Sequence, residues 1–175
     1  TPAAQCAVLP TVPAVAPLAK ADEVQIPFDS AQAQVLIGQP GIRRADPDFL
    51  AIMLGNHILG GGGFTSRLME EVREKRGLVY GVYSTFNPGL DAGAFQIGLQ
   101  TRPDQAAEAL KVTREVVTKY IAEGPTEQEL RAAKDNLIGG FALRVDSNSK
   151  LLGNITNIAW NGLALDYLDH WTEKV

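Results

Sequence analysis

Gly60-Gly61-Gly62-Gly63-Phe64-Thr65-Ser66-Arg67-Leu68-Met69-Glu70-Glu71-Val72-Arg73-Glu74-Lys75-Arg76-Gly77-Leu78-Val79-Tyr80-Gly81-Val82-Tyr83-Ser84 is the stretch around which the rest of the chain is organised. The glycine run Gly60, Gly61, Gly62, Gly63 offers backbone that accepts positive φ or the close approach of another segment. The residues after it predict a short helix, capped by Thr65, with Leu68, Met69 and Val72 as its apolar stripe and Gly77 as a left-handed end. From Val79 the period becomes two. That predicts a strand with Val79, Gly81 and Tyr83 on one face and Tyr80, Val82 and Ser84 on the other. A helix that stops at Gly77 and returns as a strand brings Arg73 and Tyr80 close in space.

Working outward, residues Thr1 to Asp22 are rich in Ala, Pro and Val, with prolines too closely spaced for helix or central strand, and read as a linker. Residues 23–175 read as one domain. Strands are expected at Glu23 to Phe28 and Gln32 to Gly38, then a helix from Pro47 to Leu59 opened by Asp46-Pro47-Asp48. Tyr80 to Phe86 and Ala94 to Thr101 alternate and form a hairpin across Asn87-Pro88-Gly89 and Asp91-Ala92-Gly93. Pro103-Asp104 opens a long helix with Ala107, Leu110, Val117, Tyr120 and Ile121 as its stripe, stopped by Gly124-Pro125. Thr126-Glu127-Gln128-Glu129 is a capping box that starts the next. Asp146 to Trp160 predicts a further helix with Leu151, Leu152, Ile155, Ile158 and Ala159 inward, and Asp166 opens a last, truncated one. This order is α+β: a mainly antiparallel sheet covered on one face by helices.

Composition narrows the function. At 175 residues and 45% hydrophobic, the chain can bury a core without staples. A formal charge of −4 lacks the basic face of a nucleic-acid binder. No apolar run reaches the roughly 18 residues of a membrane span. The single cysteine, Cys6, excludes an internal disulfide.

The chemistry-bearing residues are few. Neither His57 nor His170 has a second histidine or a carboxylate at metal spacing, so no metal site is expected in this chain. Ser66, Ser84, Ser147 and Ser149 lack a G-x-S-x-G setting. The glycine run lacks the Lys-Ser/Thr of a phosphate loop, which leaves a flexible connection between helices as its plain reading. Arg67 with Glu71, and Glu71 with Lys75, stand at ion-pair spacing on a solvated face. Arg73 and Tyr80 could donate hydrogen bonds to peptide carbonyls across one cleft; the bland alternative is a surface arginine and a half-buried strand tyrosine.

The run from Leu59 through the four glycines to Leu68, continued by Val72 to Ser84, closely resembles the second, non-zinc domain of the pitrilysin and insulinase family of zinc peptidases, which includes mitochondrial processing peptidase. The likeness continues through Gly93 to Ile97, Glu123 to Thr126 and Ala132 to Leu137. The resemblance implies a processing-peptidase-like metallohydrolase domain, truncated at its C-terminal end. It implies a clamshell in which a zinc-bearing half with an H-x-x-E-H motif faces a half without one, with the peptide substrate between. Arg73 and Tyr80 match the pair that contacts the peptide near the zinc. Gly60 to Gly63 match a shortened substrate-recognition loop.

On this resemblance the chain is the non-catalytic half of a zinc metalloprotease, with no cofactor of its own and zinc only in the partner half. Its partners would be that half, on the same or another chain, and an extended peptide. The alternative is a structural or assembly subunit that shares the fold and has no part in proteolysis. The resemblance leans to the periplasm.

Overall fold

The computed structural model describes residues 10–175. The linker reading falls partly on residues 1–9, which lie outside the described residues. Residues 10–32 carry neither helix nor strand. The strand expected at Glu23 to Phe28 is therefore not formed. Val24, Ile26 and Phe28 alternate as a strand would, yet all three face solvent. Alternation supplies a face; a strand also needs a neighbour to complete its hydrogen-bond ladder.

The sheet has three antiparallel strands, β1 (Ala33–Pro40), β2 (Val79–Phe86) and β3 (Ala94–Thr101), in the order β1-β3-β2. The expected hairpin pairs β2 with β3, and β1 closes on the other side of β3, with Val35 opposite Leu99 and Ile37 opposite Ile97. One face is apolar and covered. Ile97, Leu99, Val79 and Val82 pack there with Leu59, Leu68, Val72, Ala109 and Val112 in the main core. The other face, bearing the exposed Leu36 and Tyr83, has no helix over it among the described residues.

Helix α1 (Phe49–Asn56) begins later than Pro47 and continues as a wide π turn over His57–Gly61. The Asp46 carboxylate accepts the Asp48 amide at 2.9 Å, which closes a turn ahead of the helix; Asp48 itself is the N-cap, with no side-chain cap bond and no acid in the first turn, so the expected opening is shifted by two residues. Helix α2 (Ala106–Glu123) ends at Gly124, which takes φ 73°. Its buried stripe is Ala109, Val112 and Thr113, with Val116, Val117 and Tyr120 beside it. Ile121, expected inward, is 78% exposed. The stripe is rotated from the expected one and takes in Thr113, whose hydroxyl is satisfied by the Ala109 carbonyl at 2.7 Å and so can be buried.

Helix α3 (Glu127–Gly139) starts at the expected capping box, with both reciprocal bonds formed between Thr126 and Glu129. Its Ala133 and Leu137 join Leu54, Ile58 and Trp171 in a second cluster. Helix α4 (Asn148–Trp160) is capped by Ser147, but only Ile158 is buried on it. Leu151, Leu152 and Ile155, expected inward, are exposed. Residues 163–170 turn rather than wind, and the last helix, α5 (Trp171–Lys174), is one turn long.

Candidate functional site

The glycine run is tightly packed rather than a flexible connection. A Cβ on Gly60 would stand 2.5 Å from Ser84 Oγ and 2.6 Å from the Ser84 amide nitrogen, so only glycine lets this turn lie against β2. Ser84 in turn donates to Asn56 Oδ1 at 2.7 Å, and Asn56 Nδ2 donates to the Ser84 carbonyl at 3.2 Å. Gly63 takes φ 69° and turns the chain into the one-turn 3₁₀ segment Gly63–Thr65. Phe64 projects from that turn into solvent.

The next helix is not capped by Thr65. Ser66 takes the extended cap conformation instead, and its carbonyl accepts the Glu70 amide at 3.0 Å. Burial decides this, since Ser66 is almost fully enclosed while Thr65 faces water. Met69–Glu74 then winds as a π turn, with the Lys75 amide bonded to the Glu70 carbonyl at 2.9 Å. Such wide turns insert one residue and rotate the side chains beyond it. Gly77 ends the segment at φ 62°, as its position predicts.

A second irregularity comes at once. Strand β2 carries a bulge between Val79, opposite Thr101, and Gly81, opposite Gln100, which leaves Tyr80 as the extra residue. The expected simple alternation is broken there, so that Val79, Val82 and Ser84 all point to the core. The bulge re-aims Tyr80, which is 81% exposed. Together the π turn and the bulge bring Arg73 and Tyr80 side by side. The Arg73 guanidinium carbon lies 5.7 Å from the centre of the Tyr80 ring and 4.9 Å from that of Phe64. Arg73 Nη1 donates to Glu74 Oε1 at 3.0 Å. That uses one of five N–H donors.

Beside this cluster opens a cleft of about 580 Å³ between the uncovered sheet face and the glycine run. Tyr80, Gly60, Gly61 and Gly63 line it, and Tyr83 lies across Gly98 on its floor. None of its lining residues carries a charge. Sequence reasoning does not single out Phe64 or Tyr83; an aromatic directly after a glycine run is the available signal. Arg67, expected to pair with Glu71, reaches Glu129 instead. Glu71 does bind Lys75, and Arg76 as well, each at 2.7 Å.

The two histidines lie apart. His57 sits in the π turn after α1, where burial first and the Arg144 charge second push its pKa down. His170 is exposed beside Glu173 and Asp166. Among the described residues no three His, Cys, Asp or Glu side chains gather as metal ligands, so these residues do not fit a zinc centre.

A family model for the peptidase M16 inactive domain matches residues 8–137. The chain belongs to that family. This inactive domain is 37% identical over 131 residues to an uncharacterized zinc protease of Streptomyces coelicolor, covering 74% of this chain and 28% of that one. It matches a peptidase M16 inactive domain from Pseudomonas fluorescens with a TM-score of 0.78 at 45% identity, over 84% of this chain and 34% of the other. It shares its fold with the periplasmic protease PqqL of Escherichia coli, at a TM-score of 0.63 and 24% identity over 84% of this chain and 16% of that one. The chain spans about a third or less of the length of these relatives. No helix among the described residues is long and apolar enough to cross a membrane.

Proposed function

We propose that this M16 inactive domain binds and positions an extended peptide opposite a separate zinc-bearing H-x-x-E-H half, on the same chain or another. The observation that carries this reading is the Phe64–Arg73–Tyr80 cluster at the edge of an uncharged cleft. Strand β2 is an edge strand of the sheet; Asn56 and Gly60 occupy that edge at Ser84, so an extended chain would add along the part nearer Tyr80. The free donors of Arg73 and the Tyr80 hydroxyl are then available to a peptide carbonyl, which they orient and polarise.

The zinc of the opposite half, when bound, supplies a water-derived nucleophile at neutral pH. This chain contributes geometry and hydrogen bonds. The family's description as an inactive domain of zinc proteases supports that division of labour. We also propose a periplasmic setting, supported by the shared fold with a periplasmic protease and tested by fractionating a tagged full-length protein.

Arg73→Ala and Tyr80→Phe, made in the complete two-half enzyme, test the role. We expect kcat/KM for peptide cleavage to fall by about tenfold or more for each, as for loss of a positioned donor. Unchanged cleavage in both variants would remove the role assigned to this pair.

A further inference from the structure

On the uncovered face of the sheet the three strands line up in rows, with Gln34, Gln100 and Gly81 in one and Leu36, Gly98 and Tyr83 in the next. Each row holds one glycine, and the two glycines differ. A Cβ on Gly98 would stand 2.6 Å from Cζ of Tyr83, the residue directly opposite on β2, so the Tyr83 ring covers the bare backbone of β3 there. A strand glycine offers no side chain to its cross-strand neighbour, and a ring laid over it fills the gap and shields the backbone. Gly81 has no such cover. A Cβ on it would meet no atom within 4 Å among the described residues, and its neighbour on β3, Gln100, is exposed. The bulge at Tyr80 does not account for this glycine, because Gly81 does not take a positive φ.

Strand β2 is at the edge of the sheet, so the other cross-strand position beside Gly81 belongs to none of the three strands. At Ser84 that edge is taken by Asn56 and Gly60, whereas among the described residues no hydrogen bond from outside the sheet reaches Tyr80, Gly81 or Val82. Gly81 also lines the cleft of about 580 Å³ and adjoins Tyr80, so a segment that meets Arg73 and Tyr80 passes beside it. No charged residue lines this cleft, so a lysine or glutamate side chain laid into it loses water without gaining a partner.

Granted the peptide-binding role proposed above, we propose that the peptide residue paired with Gly81 is aromatic and that its ring lies over that glycine, as the Tyr83 ring lies over Gly98. Residues directly opposite one another share a face of the sheet, so this side chain stands on the uncovered face, above the cleft floor. An aliphatic side chain fills part of the same space without covering the backbone plane, and a small one leaves it bare. Gly81 is then a specificity-determining residue, and the substrate class is an extended segment that presents an aromatic side chain on the face turned away from the core.

Short Thr/Ser peptides with one variable central residue test this by isothermal titration calorimetry on the full-length protein; such a host can slide until the variable residue meets Gly81. The Phe peptide is expected to bind about tenfold tighter than the Ala peptide, with Leu between them and Lys no better than Ala. Gly81→Ser puts a hydroxymethyl where the ring would lie, in open space and without a positive φ, so the variant keeps its fold. It is expected to bring the Phe peptide to within about twofold of the Ala peptide and to leave the Ala peptide unchanged. A Leu, Ala or Lys peptide bound as tightly as the Phe peptide, or a Phe advantage that survives Gly81→Ser, overturns the proposal. If Arg73→Ala weakens the Phe and Ala peptides alike while Phe holds no advantage, the peptide-binding role stands and only the aromatic pairing fails; if no peptide binds, both fall.

Discussion

Arg67 and Glu129 are 62 residues apart in sequence and meet as a two-pronged pair, Nε to Oε1 at 2.5 Å and Nη2 to Oε2 at 2.7 Å. The same guanidinium donates to the Gly124 carbonyl at 3.0 Å, and the same carboxylate accepts the Thr126 amide at 2.7 Å. One ion pair thus fastens the end of α2, the cap of α3 and the first turn after the glycine run.

The Arg67 guanidinium, with the Thr126 amide and hydroxyl, holds the Glu129 carboxyl down at about 2. A depressed carboxyl stabilises the fold fully above its unfolded value of 4.5, and that contribution is lost as pH falls through its folded value. Glu129→Gln is expected to cost ~1–2 kcal/mol near neutral pH, a figure discounted because the side chain is partly solvated. Urea unfolding at several pH values should show the gap between wild type and variant closing as the solution is acidified towards about pH 2. A gap that does not change with pH would mean the charge is not what stabilises.

His57 behaves with the same sign for a different reason. Burial and the Arg144 charge disfavour its protonated form, so its contribution is complete above 6.5 and disappears as pH drops through the lowered folded value. In Arg144→Gln the imidazole should titrate closer to 6.5 without reaching it, because burial is the larger cause. The imidazole Cε1–H shift measured against pH tests this directly, and an unmoved titration would show that Arg144 does not act on it.

Gly60→Ala and Gly63→Ala separate two uses of glycine. The first puts a methyl against the Ser84 backbone and should cost more than ~2 kcal/mol, since backbone cannot step aside. The second meets open space and pays only for its φ of 69°, roughly 1 kcal/mol. Equal losses in thermal or urea unfolding would contradict the packing described for this run.

Leu68 is fully buried and Leu152 is 65% exposed. Truncation to alanine should therefore cost about 3 kcal/mol at the first and within about 0.5 kcal/mol at the second. A large loss at Leu152 in the isolated domain would mean that α4 packs more deeply than described.

These contrasts show what can be read from residues alone. Signals that act within a few residues are legible: the capping box at Thr126, the left-handed ends at Gly77 and Gly124, the β2–β3 hairpin, and the nearness of Arg73 to Tyr80. Periodicity is weaker. It places a strand at Glu23 where no neighbour pairs, and an inward face on α4 where nothing among the described residues covers it. It also misses Thr113 as core, because a hydroxyl satisfied within its own helix does not look apolar. The extra residues in the π turn and at Tyr80 leave no periodic trace, since each inserts one position without changing residue type. Arg67 with Glu129 and Arg44 with Tyr167 join distant segments, and spacing rules for a single helix cannot find them.

The closed end of the Met69–Glu74 turn has a mechanical corollary. The Gly77 and Leu78 amides bond back to the Arg73 and Val72 carbonyls at 2.7 and 3.1 Å, and β2 begins one residue later, locked to β3. The backbone that carries Arg73 and Tyr80 is therefore held as one unit. On the proposed peptide-binding role, a guest would have to straighten itself to suit that spacing and bear the ordering entropy, so unfolded segments would comply more readily than helical or proline-bent ones.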